Sequence, residues 1–338
     1  MAKKVVLSGY YGYDNFGDEA ILSVLIDHLH RINADITVLS HNPKKTAYSY
    51  QVKAVKNFNL LGLIFAIKNC DVLISGGGSL LQDVTSLKSL LYYSFVIWLA
   101  QFFGKQVIIF AQGIGPLQKD ISQKIVRNLI SKCNLVTVRD QKSCEMLQSW
   151  GINAQVVSDP VFSIDLPRNK SEGAVGIQLR AFKTLNDEFL QRLADIVVRE
   201  FAHKKIELYV FQNALDMDIS RHFERMLKKL YPEIETEIVH SISKNDMIIR
   251  ISKLDYMIAM RFHAVLVAIK TGVPTIAINY DAKVAKLAYE AFLPLLTISA
   301  DEDFEEAFNG LKALKSEDLL NYAKTKTFDW TEFDKILK

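Results

Sequence analysis

The chain has 338 residues, 49% of them hydrophobic, which is enough to bury a large core and favours two domains over one. Its 41 Lys and Arg against 38 Asp and Glu leave a net charge of +3; this is too small for charge-driven binding of nucleic acid, so any basic surface is local. Cys70, Cys133 and Cys144 make an odd set with no metal-ligand spacing, which argues against a disulfide framework and fits a reduced, cytoplasmic setting.

The N-terminal run "MAKKVVLSGYYG" has too short an apolar stretch for a signal peptide. It reads as a strand, Lys4 to Ser8. Further strands are expected at Ile36 to Ser40, Asp71 to Ser75, Gln106 to Ala111, Leu135 to Val138 and Gln155 to Val157. Between them lie stretches such as "DEAILSVLIDHLHRI" and "DISQKIVRNLISKCN", whose apolar residues recur at helical spacing. The most apolar segment, Leu90 to Phe103, falls short of the roughly 20 residues needed to span a bilayer and is expected to be a buried core helix, with a surface-seeking or membrane-contacting helix as the alternative.

The polar segment "DLPRNKSEG" then separates a second alternation. Its strands are expected at Ala174 to Gln178, Ile206 to Phe211, Glu237 to Val239, Tyr256 to Ala259, Thr275 to Asn279 and Leu296 to Ser299. The pattern predicts an α/β protein of GT-B-like type, with two Rossmann-like doubly wound domains, 1–165 and 174–315, facing each other across a cleft. A polar helix over 316–338 is expected to pack back on the first domain.

Ligands of such sheets sit at the carboxyl ends of strands, so residues just after strands are the functional candidates. "SGYYGYDNFGDEAIL" is neither a Walker loop nor a dinucleotide fingerprint. Asp18 reads as the cap of the following helix, which leaves Asp14 and Asn15 as the loop residues open to a function. "DVLISGGGSLLQD" places Gly76, Gly77 and Gly78 at a strand end, where their backbone amides could meet a ligand, with Ser79 and Asp83 adding side-chain hydrogen bonds. "FAQGIGP" puts glycine at the end of another strand.

In "VTVRDQKS", Arg139 and Asp140 read either as a local ion pair or as an Arg whose planar fork suits phosphate or carboxylate. In "AMRFHA", Arg261 and His263 fall at a strand end and helix N-terminus, where anions bind. "NYDAKVAKLA" supplies Lys283 after the next strand. The remaining histidines have no metal spacing, so no metal is expected.

Together, "GYYGYDNFGDEAIL", "SGGGSLLQD", "AQGIGP", "VTVRDQKS", "SDPVF" and "MRFHA" resemble, in order, the polysaccharide pyruvyl transferase family, in particular its bacterial cell-surface-anchoring (CsaB-like) branch. The resemblance implies ketal transfer of pyruvate from phosphoenolpyruvate to O4 and O6 of N-acetylmannosamine in a lipid-linked cell-wall glycan precursor, without a cofactor. It assigns Arg139, Arg261 and Lys283 to phosphoenolpyruvate, His263 to proton transfer and Asp14 to the acceptor. Two other readings share the expected cleft: a glycosyltransferase using a nucleotide sugar, and a non-catalytic glycan-precursor-binding protein. A lipid-linked acceptor would require peripheral contact with the inner membrane face, for which the basic stretch His222 to Tyr231 is a candidate.

Overall fold

Continuous apolar runs such as "VLISG" (Val72–Gly76) and "AVGIQ" (Ala174–Gln178) leave no polar face for water and form parallel strands sandwiched between helices. The computed structural model describes residues 2–84, 86–164, 166, 170–299 and 302–337. The chain divides into two units, Met1–Ser163 with Thr327–Lys338, and Ile164–Lys326. Residues 165 and 167–169 of the expected linker lie outside the described residues.

The first unit runs β1 (Lys4–Ser8), α1 (Phe16–Arg31), β2 (Asp35–Ser40), α2 (Pro43–Tyr50), β3 (Lys53–Lys56), α3 (Leu60–Lys68), β4 (Val72–Gly76), α4 (Leu87–Phe102), β5 (Gln106–Gln112), α5 (Asp120–Ile130), β6 (Leu135–Val138), α6 (Gln141–Ser149) and β7 (Gln155–Val156). The strands pair in parallel in the order β3-β2-β1-β4-β5-β6-β7. The second unit runs β8 (Ala174–Gln178), α7 (Asp187–Phe201), β9 (Ile206–Tyr209), α8 (Asn213–Leu230), β10 (Thr236–Val239), α9 (Lys244–Ile251), β11 (Leu254–Ala259), α10 (Phe262–Thr271), β12 (Thr275–Asn279), α11 (Ala282–Glu290), β13 (Leu295–Thr297), α12 (Phe304–Ala313) and α13 (Ser316–Thr325). Its sheet order is β10-β9-β8-β11-β12-β13. In each sheet the strand order reverses once, between β1 and β4 and between β8 and β11. The loops leaving those four strands therefore splay apart and open a crevice where ligands of doubly wound sheets bind.

The chain's end departs from the expected single helix. It breaks after α13, and α14 (Thr331–Leu337) belongs to the first unit. There Trp330 stacks on His28 of α1 (ring centroids 3.7 Å), His28 Nε2 meets Asp334 at 2.7 Å, and Phe333 packs on Phe110 of β5. The edge strand β3, "KAVK", has no long apolar run and is not among the sequence-predicted strands.

A second departure concerns α4. Leu90, Tyr93, Ile97 and Ala100 are buried against the sheet, as expected, but the opposite side of the same helix is exposed. Being apolar all round, the sequence could not reveal that only one side of this helix is covered.

Candidate functional site

In the first unit the loop after β1 is organised by α1. Asn15, not Asp18, is the N-cap: its side chain accepts the Gly17 amide at 3.1 Å. This follows from the chain entering the helix one turn earlier than the sequence suggests, which leaves Asp18 and Glu19 to complement the dipole in the first turn. Glu19 in turn accepts the Gly12 amide at 2.7 Å and the Tyr50 hydroxyl at 2.6 Å, so it fixes the loop. Asp14 has a φ of 55° and stands out from the loop, its exposed carboxylate paired with Lys45 at 2.6 Å.

The glycines after β4 do less for a ligand than their sequence suggests. The Gly76 carbonyl accepts the buried Tyr11 hydroxyl at 2.9 Å, and the Gly77 amide donates to the Phe110 carbonyl at 3.1 Å. Gly78 has a φ of 66°, and a Cβ there would lie 2.7 Å from an Asp18 carboxylate oxygen, so the glycine permits a close approach to α1. Asp83 accepts the amides of Gln118 and Lys119 at 2.8 and 3.0 Å, and those hydrogen bonds, Gln118 first, hold its carboxyl below the usual range. Both Asn15 and Asp83 thus serve the backbone.

Ser79 and Arg139 come together. The Arg139 guanidinium, at the end of β6, donates to Ser79 Oγ at 3.2 Å and lies 3.7 Å from Asp159, a buried carboxylate of the "SDPVF" segment. Asp140 is not its partner: it caps α6 by accepting the Ser143 amide at 2.8 Å. Of the two sequence readings of Arg139, the local ion pair with Asp140 is therefore replaced by a pair with a residue 20 positions on.

In the second unit the reversal point is richer in chemistry. The Gln178 side-chain carbonyl, at the end of β8, accepts the Arg261 amide at 2.7 Å, tying the ends of β8 and β11 together. The Arg261 side chain turns inward, with Nε and Nη2 on the fully buried Asp216 of α8 at 2.6 to 3.1 Å and Nη2 on Gln212 at 3.2 Å. Asp216 also accepts the Phe211 and Gln212 amides at 2.9 and 3.0 Å. Arg261 is the N-cap residue of α10 in position but makes no side-chain cap bond; it anchors the turn that puts His263, half-buried, in the helix's first turn. Lys283 stands in the first turn of α11, just after β12, its amide given to Asp281 at 2.9 Å.

Arg180 escaped the sequence reading. It follows β8 by two residues, as Arg261 follows β11, and Gln178 is in register with Ala259. Its guanidinium donates to the Tyr280 hydroxyl at 3.3 Å and lies 5.3 Å from that ring's centroid. Because β11 runs between β8 and β12, this bridge crosses the end of β11 beside the Arg261–His263 turn. Among the described residues no carboxylate forms an ion pair with Arg180, and its buried Nε has no hydrogen-bond partner. A guanidinium in that state favours an anion. The signal was present in "IQLRAF", an Arg directly after a buried strand, but nothing in the sequence places β8 beside β11.

The second unit thus gathers two arginines, a histidine and a lysine on the loops and first helical turns that follow three adjacent strands, β8, β11 and β12. Among the described residues no group of His, Cys, Asp and Glu could hold a metal ion. The arrangement suits capture of a small anion next to a group able to move a proton.

Two parallel-sheet α/β units of this topology define a GT-B-like fold. A UDP-GlcNAc 2-epimerase from Methanocaldococcus jannaschii matches with a TM-score of 0.64 at 12% identity, over 97% of this chain and 95% of that one. An α-glucosyltransferase solved with UDP and a DNA 13-mer matches with a TM-score of 0.59 at 11% identity, over the whole of both chains. The sequence is more specific than the fold. The profile of the polysaccharide pyruvyl transferase family matches residues 15–282, and the chain belongs to that family. It is 23% identical to the amylovoran biosynthesis protein AmsJ of Erwinia amylovora over 365 residues, covering 86% of each chain.

Proposed function

We propose that this transferase moves pyruvate from phosphoenolpyruvate onto two hydroxyls of one sugar as a ketal, O4 and O6 of N-acetylmannosamine in a lipid-linked, CsaB-type glycan precursor. The observation that carries the reading is the crossing of Arg180 over the end of β11, beside a His263 whose turn is locked by the Arg261–Asp216 pair. Family membership supplies the pyruvyl transfer, and these residues supply what the chemistry needs.

Phosphoenolpyruvate carries a phosphate and a carboxylate, for which Arg180 after β8 and Lys283 after β12 are cations on either side of the end of β11. Arg261 is already neutralised by Asp216, so its contribution is chiefly to hold the turn. The family resemblance adds Arg139 as a further phosphoenolpyruvate ligand and Asp14 as a group that contacts the acceptor hydroxyl. In the first half-reaction His263 gives a proton to the methylene carbon, the first hydroxyl oxygen bonds to C2, and its proton returns to His263. In the second the C2–O bond to phosphate breaks, the second hydroxyl bonds to C2, and its proton leaves with the phosphate. Nothing is oxidised or reduced, and the products are the ketal and inorganic phosphate.

The test is incubation with phosphoenolpyruvate and N-acetylmannosaminyl, galactosyl and glucosyl acceptors, followed by mass spectrometry for the ketal and assay of released phosphate. The ketal is expected on one acceptor, and a folded His263→Ala chain is expected to lose it. Stabilisation by UDP- or GDP-sugars with none by phosphoenolpyruvate would overturn the reading in favour of glycosyl transfer.

A further inference from the structure

On the outer side of α4, Leu87, Leu91, Phe95, Trp98 and Phe102 follow one another at three- and four-residue steps, so they form one stripe along the helix. All five are exposed, Phe102 to 67% and Trp98 to 47%. Phe95, Trp98 and Phe102 stack in sequence, at centroid distances of 5.9 and 5.4 Å. The surface continues onto α3. Phe58, just before that helix, leans on Tyr92 of α4 at 5.5 Å, and Leu61 and Phe65 are 81% and 71% exposed. An apolar surface of this extent marks an interaction site.

The charges on the two helices are all basic, and exposed Asp71, one residue past α3's segment, is the one carboxylate in sequence beside them. Residues 58–70 and 86–105, which carry both helices, contain no Asp or Glu, whereas Lys56, Lys68, Lys88 and Lys105 lie on or beside them. The first three are exposed and the fourth is half-buried. An isologous dimer through this surface would set that basic rim against its own copy, which like-charge repulsion opposes. An anionic lipid surface complements it: aromatic rings and leucines enter the headgroup boundary while lysines meet the phosphates. The stretch His222–Tyr231, which from sequence is a candidate membrane contact or an ordinary solvated helix, is less suited. Within α8, Phe223 and Leu227 face the unit's own core, and Lys228 pairs with Glu224.

We propose that the outer face of α3 and α4 docks the protein on an anionic membrane surface, lying in the interface and not crossing it. No helix of the described residues is long and apolar enough to span a bilayer. This proposal stands apart from the pyruvyl-transfer reading, since it needs only the surface.

The experiment is co-sedimentation of the full chain with phosphatidylcholine vesicles, with and without phosphatidylglycerol. Binding is expected only to the anionic vesicles, weakened by salt. Lys88→Glu should lower partitioning by about fivefold or more, following the roughly 1 kcal/mol that each basic residue near such a surface contributes. Trp98→Glu with Phe102→Glu should abolish it; both side chains are exposed, so the fold is retained, as circular dichroism checks. Vesicle binding that survives the double substitution overturns the proposal. So does a dimer, seen by analytical ultracentrifugation, that the same substitutions split while the wild-type chain ignores vesicles. Turnover of a water-soluble acceptor is expected to be unchanged by the double substitution, which keeps failure of docking distinguishable from failure of the chemistry.

Discussion

Asp216 clasps the Arg261 guanidinium through both carboxylate oxygens, at 2.6 to 3.1 Å, from a position with no solvent exposure. The same carboxylate accepts two backbone amides at the start of α8. Removing it strands a guanidinium and two amides, whereas removing Arg261 leaves a carboxylate that keeps its amide partners. Breaking a buried pair costs roughly 3 to 5 kcal/mol. Asp216→Ala is therefore expected to lower the denaturation midpoint more than Arg261→Met does. The reverse order in urea or thermal melts would show that the arginine, not the carboxylate, organises this corner.

With Arg261 neutralised by its partner and no ion pair at Arg180 among the described residues, Arg180 is the cation through which the phosphoenolpyruvate reading is tested. A charge-assisted hydrogen bond contributes roughly 1.5 to 3 kcal/mol, so Arg180→Met should raise KM for phosphoenolpyruvate by about tenfold to a hundredfold. Arg180→Lys should recover part of this, because it keeps the charge and loses the planar fork. Initial rates against phosphoenolpyruvate concentration read both. An unchanged KM in the Met variant would remove Arg180 from the substrate.

In the first unit the contact to test is that of Ser79 with Arg139. A Cβ on Gly113 would lie 2.8 Å from Ser79 Oγ, 3.3 Å from Asp140 Oδ2 and 3.5 Å from Arg139 Nε, and Gly113 is not in the left-handed region, so the substitution adds crowding, most of it on Ser79, without backbone strain. Gly113→Ala should displace Ser79 and lower kcat/KM by roughly tenfold, equivalent to about 1.4 kcal/mol. In a Ser79→Ala background the same change should have a smaller further effect, because what remains is its milder crowding of Asp140 and Arg139. Additive losses in kcat/KM would show that Gly113 acts elsewhere.

Much of the fold was legible in the sequence where apolar runs are long and bounded. Strands β6, β8 and β12 fall at the expected residues because "LVTV", "AVGIQ" and "TIAIN" are compact β-rich runs, entered from Asn134, Gly173 and Pro274 respectively. The strand β3 was hidden by its shortness and its place at the sheet's edge, where little is buried. The site was legible only as residues after strands. Arg261 and His263 could be placed on a turn, but Asp216 lies 45 residues earlier, and no local pattern pairs them. Arg180 gained meaning only once the sheet order put β8 beside β11. Asn15 and Asp83 looked open to a ligand because the amides they cap are identified by geometry and not by spacing.

The acid limit of stability is set in part at the far side of the second sheet. There Glu237 of β10 meets Arg250 of α9 and, at 2.6 Å, Lys205, while Arg250 also holds the buried Glu207 of β9 at 2.7 Å. Hydrogen bonding to Arg250 first and Lys205 second brings the Glu237 carboxyl down to about 2. In the unfolded chain the same group titrates near its ordinary value, about 4.3. A carboxyl whose pKa is lower in the folded state stabilises the fold fully above the unfolded value, and that stabilisation disappears as pH falls toward the folded one. The melting temperature of the wild-type chain should therefore exceed that of Glu237→Gln at neutral pH, and the gap should close between about pH 4.5 and pH 2. Glu237 is partly exposed, so salt should narrow the gap at neutral pH as well. Thermal melts of the two chains across that range measure it directly, and a gap that stays constant down to pH 2 would mean that the Arg250 and Lys205 contacts do not hold the carboxylate.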